Sequence, residues 1–300
     1  MLFVLLQRGL QTGCHFSTVV KSRDMFTLCF DVIEQVITIR VLSTRMDDDT
    51  IQGTIKSDKT LLAILNCIRE ADGARLTDIA NSLTIAKSTV HSHLKTLIRA
   101  GFIRRTDGRY YLGLMFLDYG IQARNQRKIY EVAQPMTERL AAETGERTWC
   151  IVEENYRAVY LCGASADNPM KTPHRVGRHT ELHHLAGGKA ILAHLPTEYM
   201  WDVIRESGLP QLTSNTITNA DELLNELATV CDRGVAYNME ESMKGLHAIA
   251  APVMNPEGSI NGAVSISGPA NRLTKFRMEN ELAGILRGAT NEMEINMRNF

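Results

Sequence analysis

The chain has 300 residues, 44% of them apolar and 22% charged, an ordinary globular composition with material for about two domains. That excludes a disordered chain, a collagen-like repeat and a small disulfide scaffold. The formal net charge of −1 hides a split: residues 56–128 carry 13 Lys and Arg against 6 Asp and Glu, a net of +7, while residues 129–300 carry 15 against 22, a net of −7. A basic segment of domain size beside an acidic one points to a polyanion-binding module joined to something else.

Residues 1–53 show short apolar runs without a sustained period. Met46-Asp47-Asp48-Asp49-Thr50 looks like a natural start of translation, so residues 1–45 read as a leader outside the fold. From Ser57 the pattern sharpens. Leu61, Leu62, Ile64, Leu65 and Ile68 follow helical spacing behind a Ser57-Asp58 capping signal, and Ala71-Asp72-Gly73 ends that helix. Thr77 is expected to cap a short second helix with Ile79, Ala80 and Leu83 inward. After Thr84-Ile85-Ala86, a third helix runs from about Lys87 to Ala100 on Val90, Leu94, Leu97 and Ile98, and Gly101 sits where a C-cap glycine belongs. Phe102–Thr106 and Arg109–Leu112 read as strands around the hairpin pair Asp107-Gly108. Three helices and a hairpin in this order make a winged helix-turn-helix over residues 54–112.

Residues 113–128 read as one linking helix, with Leu114, Leu117 and Ile121 on one side. Residues 129–300 form a second unit. Helices are expected at Tyr130–Thr144, Gly188–Leu195, Asp221–Cys231 and from Phe276 onward. Strands are expected at Trp149–Val152, Ala158–Cys162, Val235–Met239, Ala248–Val253 and Ile260–Ser267. The fold class is α+β. The six cysteines are scattered without a C-x-x-C pair, which fits a reduced, cytoplasmic setting. No apolar run is long enough for a membrane span, and the N-terminus lacks the parts of a signal peptide.

The third helix turns Ser88, Thr89, Ser92 and Lys95 away from its apolar face, with Lys87 and His91 flanking them. Short hydroxyls and lysines suit phosphates and base edges, and a helix N-terminus favours phosphate. Arg104, Arg105 and Arg109 stand on the hairpin, within reach of backbone or minor groove. Double-stranded DNA is the partner this chemistry fits.

Thr77-Asp78-Ile79-Ala80, Lys87-Ser88-Thr89-Val90-His91-Ser92-His93-Leu94 and Gly101-Phe102-Ile103 resemble the DNA-binding domain of the isocitrate-lyase-regulator (IclR) family of transcription factors. The second unit is similar to that family's effector domain. The matching stretches are Val176-Gly177-Arg178, Leu182 to Ala190, Arg233 to Ala236, Glu240-Glu241, Gly245 to Val253 and Ser265 to Pro269, then Arg272-Leu273. The resemblance covers about residues 56–300. It implies a GAF-like ligand-binding domain, a homodimer or homotetramer, and control of small-molecule metabolism. It places a small organic or aromatic acid against the backbone of Ala186, Gly187 and Gly188, with Asn238, Glu240, Leu246 and Ala248 as the opposite wall. Small residues opening a helix independently suit an anion approaching backbone N–H groups. Many members carry Thr at the position of Leu185, Asp at that of Asn238 and Cys at that of Ala248, so this chain departs from the common pattern there.

Five of nine histidines fall between His174 and His194, which suggests a metal-responsive regulator, but Thr180 stands where H-E-x-x-H needs Glu. The alternative reading gives His183 the task of orienting the pocket backbone, with His183 or His184 as a donor to the ligand and the other histidines at the surface. Gly187-Gly188-Lys189 lacks the glycine and hydroxyl of a phosphate loop. No nucleophile–base signature supports an enzyme fused to the DNA-binding unit, and a winged domain that binds protein is the remaining rival. Cys150 and Cys162 read as core residues. No cofactor and no resident metal are expected.

Overall fold

The computed structural model describes residues 55–165 and 174–298, and the expected leader lies outside the described residues. The chain divides near Gly120 into two compact units.

The first unit contains α1 (Lys56–Glu70), α2 (Leu76–Ser82), α3 (Lys87–Arg99), β1 (Ile103–Thr106) and β2 (Arg109–Leu112). Its core is Ile64, Ile68, Ile79, Val90, Leu94, Leu97, Ile103 and Tyr110. The three- and four-residue spacings put one face of each helix into that core. Asp107 (φ 50°) and Gly108 (φ 77°) form the two-residue turn that brings Thr106 opposite Arg109, as a type I′ hairpin requires. Ala74 and Tyr110 exchange backbone hydrogen bonds at 3.1 and 2.8 Å, tying the segment before α2 to the wing.

Two caps differ from expectation. Ile55 is the N-cap of α1, with Asp58 already inside the first turn. At α2 the cap is Arg75, whose N–H donates to the Asp78 carboxylate at 3.2 Å, while the Thr77 hydroxyl donates to Asp78. The carboxylate outcompetes the hydroxyl because it accepts a charge-assisted bond at the helix's positive end.

The linking helix is shorter than expected: α4 spans Met115–Asn125 and stops before Lys128. It buries none of its residues.

The second unit contains α5 (Ile129–Thr144), β3 (Arg147–Glu154), β4 (Arg157–Ala164), β5 (His179–Thr180), α6 (Ala186–Leu192), α7 (Thr197–Ser207), α8 (Ala220–Arg233), β6 (Ala236–Met239), β7 (Leu246–Met254) and β8 (Ile260–Pro269). It closes with α9 (Lys275–Arg277), a π-turn (Met278–Leu282) and α10 (Ala283–Met297). The strands form an antiparallel sheet in the order β5-β4-β3-β8-β7-β6. Alternation along the strands feeds two cores. Cys150, Val152, Val264 and Ile266 pack on one face with Met136, Leu140, Leu286 and Met293 of α5 and α10. Trp149, Ile151, Ala250 and Ala263 pack on the other with Ala190, Ile191, Val203 and Leu227 of α6, α7 and α8. The result is an α+β sandwich with helices on both faces of one sheet. Helix α7 and strand β5 are absent from the sequence reading.

Candidate DNA interface and ligand cleft

Lys87, Ser88, Thr89, His91, Ser92, Lys95, Arg104, Arg105 and Arg109 are all exposed. Val90, Leu94 and Leu97 anchor α3 from beneath, so the polar face is held as a rigid surface. Several of these groups also serve the fold. The Ser92 hydroxyl donates to the Ser88 carbonyl at 3.0 Å. On the wing, Arg104 donates to the Thr106 hydroxyl and lies 4.7 Å from the Tyr111 ring centroid. Arg109 donates to the Gly73 carbonyl at 3.1 Å, so its guanidinium braces the wing against the segment before α2.

The second unit holds a small cleft of about 20 Å³ between α6 and the sheet, room for about one water molecule, so a ligand must widen it by moving its lining side chains. Ala186, Gly187, Asn238, Leu246 and Ala248 line it. The sequence reading missed Trp149, Tyr160, His174, Ser242, Ser265 and Ser267, which line it too. Period-two alternation signals Trp149 and Ile151 on β3, and likewise Ser265 and Ser267 on β8. His174 lies in an irregular segment with no periodic signal.

Gly188 and Glu240 do not line the cleft. A Cβ on Gly188 would stand 2.0 Å from the Leu182 carbonyl oxygen, so this glycine lets α6 pack on the turn before it. Glu240 (φ 64°) turns its carboxylate back to accept the Gly245 N–H and braces the β6–β7 connection. A Cβ on Gly187 would stand 2.8 Å from Ile151 Cδ1, the movable end of a side chain. The Lys189 N–H is the donor to the Leu185 carbonyl, so the amides of Ala186, Gly187 and Gly188 precede the helical ladder.

The rings form an aromatic corner. Trp149 meets Tyr160 edge-on at 5.0 Å, and His174 stacks on Tyr160 at 5.0 Å. Trp149 is 7% exposed, and its indole Nε1 has no partner among the described residues. The same holds for His174 Nδ1. Asn238 is committed: its amide nitrogen donates to the Ser242 hydroxyl, and its oxygen accepts the Glu241 N–H at 2.8 Å.

The histidines fall out differently from the sequence reading. His183 and His184 are both buried, His174 and His194 are half-buried, and His179 is exposed. His183 Nε2 pairs with the Pro210 carbonyl, and His184 Nε2 with the Thr180 hydroxyl and the Glu181 carboxylate. Neither lines the cleft; His174 takes the place expected for them. No helix runs through His179 to His183, and no group of three His, Cys, Asp or Glu among the described residues is arranged to hold a metal ion. Burial, then the charges of Arg178, His184 and Arg147, lowers the His174 pKa to about 4. Burial, then His184, lowers that of His183 to about 4.

Lys189 is spoken for. Its ammonium is buried at 2.6 Å from Glu241 Oε1 and 3.5 Å from Glu226. Burial holds the Glu241 pKa above its ordinary value despite the lysine. The Glu241 carbonyl accepts the Thr216 hydroxyl at 2.7 Å, so the pair fastens α6, the 213–216 turn and the end of β6 together.

Comparison with known proteins puts both units in one family. The profile described as "IclR helix-turn-helix domain" matches residues 61–107, and "Bacterial transcriptional regulator IclR C-terminal" matches residues 121–294. The chain is 30% identical over 247 residues to the "Probable HTH-type transcriptional regulator ArcR" of Halobacterium salinarum, covering 81% of this chain and 94% of that one. The IclR structure from Thermotoga maritima is 26% identical with a TM-score of 0.67, over 81% of this chain and 97% of that one. The inducer-binding domain of the Acinetobacter transcription factor PobR, captured as a double mutant with 3-hydroxybenzoic acid, is 26% identical with a TM-score of 0.51, over 55% of this chain and 96% of that one. With a DNA-binding helix-turn-helix unit followed by an effector-binding unit, the chain belongs to the IclR family of transcriptional regulators.

Proposed function

We propose that this regulator reads duplex DNA through α3 and the β1–β2 wing, and that a small organic or aromatic acid in the cleft modulates that binding. The observation that carries the ligand reading is the buried indole Nε1 of Trp149, left without a partner on the cleft wall. A buried donor left unpaired costs about 1–3 kcal/mol, and an acceptor oxygen of a ligand removes that cost. His174 Nδ1 and the amides of Ala186 and Gly187 offer further polar contacts. The Trp149–Tyr160–His174 corner suits a planar ligand body, and among the described residues no acidic side chain lines the cleft. The 3-hydroxybenzoic acid held by the PobR domain has this chemistry, a ring bearing a carboxylate.

The protein works as a homodimer or homotetramer. Helix α4 exposes Leu117 and Tyr119 at 58% and 57%, with Leu114 just before it at 83%, a row of apolar side chains that self-association covers. A ligand that prefers one arrangement of the effector units changes the geometry of the paired DNA-binding units. No described helix is long and apolar enough to cross a membrane, and the scattered cysteines, without a C-x-x-C pair, suit a cytoplasmic regulator.

A thermal-shift screen of benzoates and short carboxylates tests the reading on wild type and Gly187→Val. The variant fills the cleft beside Ile151 and is expected to lose the stabilisation. A ligand that stabilises both equally is bound elsewhere, and the cleft assignment is then wrong.

A further inference from the structure

Two thiols of the second unit take no part in the cleft. Cys150 on β3 and Cys162 on β4 stand directly opposite each other in the antiparallel ladder. Both are free and buried, on the sheet face that packs against α5 and α10. Directly opposed residues hold their Cβ atoms about 4.5–5.5 Å apart, and a disulfide needs about 3.5–4.5 Å. Bridging the pair therefore asks for a small approach of the strands, and the ladder has slack at that point. A bulge between Cys150 and Ile151 adjoins the pair.

The pair is chemically unequal. Its hydrogen bond to Cys162, together with complete burial, holds the Cys150 thiol well above its ordinary pKa. Cys162 is lowered by the hydrogen bond with Cys150, and further by Thr137 and the Arg124 guanidinium, against an opposing effect of burial. Arg124 lies 4.1 Å from the Tyr130 ring centroid, and its Nε has no partner among the described residues. Strand β5 pairs with β4 at Ala158 and Val159, and Gly177 and Arg178 just before it bond Tyr160, so among the described residues Cys162 lies two residues past the last of these pairings, at the sheet's edge. An edge opens to solvent more readily than a central strand, and a peroxide is a small molecule.

We propose that Cys150 and Cys162 are a modification site for small hydroperoxides, which convert the dithiol to a cross-strand disulfide. The Cys162 thiolate attacks a peroxide oxygen; an S–O bond forms, the O–O bond breaks, and the departing hydroxide leaves as water with the thiol's proton. Cys150 then attacks the sulfenic sulfur; the S–S bond forms, the S–O bond breaks, and the released hydroxide takes the Cys150 proton as a second water. The two thiols lose two electrons, and one hydrogen peroxide is reduced to two waters. The crosslink acts on the strands that carry Trp149, Ile151 and Tyr160 into the cleft wall.

The test treats the native full chain with hydrogen peroxide, alkylates it without reduction and maps its peptides by mass spectrometry. The expected product joins the peptide of Cys150 to that of Cys162 and is reversed by dithiothreitol. Replacing Cys14, Cys29, Cys67 and Cys231 by Ser is expected to leave the crosslink intact. Cys150→Ala is expected to stop at a dimedone-reactive sulfenic acid on Cys162, and Cys162→Ala to give neither product. Recovery of both thiols alkylated from native protein, while Cys67 or Cys231 is oxidised, overturns the proposal. A crosslink that forms only in denaturant does so as well.

Discussion

Adjacent glycines in α6 provide a stringent test, because they face opposite demands. At Gly188 an added Cβ meets the Leu182 carbonyl oxygen at 2.0 Å, its carbon at 2.6 Å and the Leu182 Cα at 2.7 Å. All are backbone atoms, and the Leu185 N–H to Leu182 carbonyl bond holds that turn in place. The helix must therefore move away from that turn. Overpacking of this kind costs about 1–3 kcal/mol or more, while Gly to Ala inside a helix returns about 0.5–1 kcal/mol. We expect Gly188→Ala to lose about 2 kcal/mol, which lowers Tm by about 4–8 °C in a unit of this size. At Gly187 the obstacle is Ile151 Cδ1, which rotates aside, so Gly187→Ala keeps stability within about 1 kcal/mol of wild type while narrowing the cleft. Urea and thermal unfolding of both variants, with ligand titrations, separate the two roles. A Gly188→Ala protein as stable as wild type refutes the packing argument, and a Gly187→Ala protein that melts early refutes the contrast.

Further outcomes follow from the site. Trp149→Phe keeps one aromatic ring and removes the unpaired N–H, so ligand affinity falls by about 1–3 kcal/mol by calorimetry, while the cavity left by the missing ring also lowers the stability of the ligand-free protein. Both His174 and His183 are held at about 4 against an ordinary 6.5, so the unfolded chain takes up protons first as pH falls. Stability is full above about pH 6.5 and declines toward pH 4, with a separate loss between about 4.5 and 2 from Glu181, held low first by its hydrogen bond to His184. Ligand affinity then shows no step near pH 6.5, and a step there contradicts the assignment of His174. Lys189→Met leaves Glu241 buried alone and costs about 3–5 kcal/mol; the Lys189→Met, Glu241→Leu pair costs less, as urea unfolding reports. Lys87→Ala and Ser88→Ala each weaken binding to a recognised site by about 1–3 kcal/mol, and Arg105→Ala flattens the salt dependence by about one charge; fluorescence anisotropy at several salt concentrations reads both.

The legible parts of the fold are those where burial imposes a period. Ile64, Ile68, Val90, Leu94 and Leu97 recur at helical spacing because one face of α1 and of α3 enters the core. Asp107-Gly108 is readable because few pairs tolerate positive φ at both positions. Helix α7 is not a case of missing signal: Met200 and Val203 are buried, and Tyr199, Trp201 and Ile204 pack half-buried against the same core, a helical spacing that the sequence does carry. Strand β5 is two residues long and carries no period. In the cleft, the small residues of α6 and the β7 positions were readable, since the resemblance attaches to them. Gly188 was assigned to ligand because sequence cannot tell a glycine needed for packing from one needed for access. The choice among His174, His183 and His184 turns on which ring finds an internal acceptor, and Pro210 and Thr180 are distant from or unremarkable beside those rings in the sequence.

The central claim is that occupancy of the cleft changes DNA binding. Its most direct measurement maps the genomic sites bound by the protein and titrates one of them, by anisotropy, with and without a carboxylate that saturates the cleft. The account predicts that the ligand changes DNA affinity by about 5-fold or more, as a coupling of about 1–3 kcal/mol implies, and that Gly187→Val abolishes the change while keeping ligand-free DNA binding. A ligand that saturates the cleft and leaves DNA affinity unchanged contradicts it.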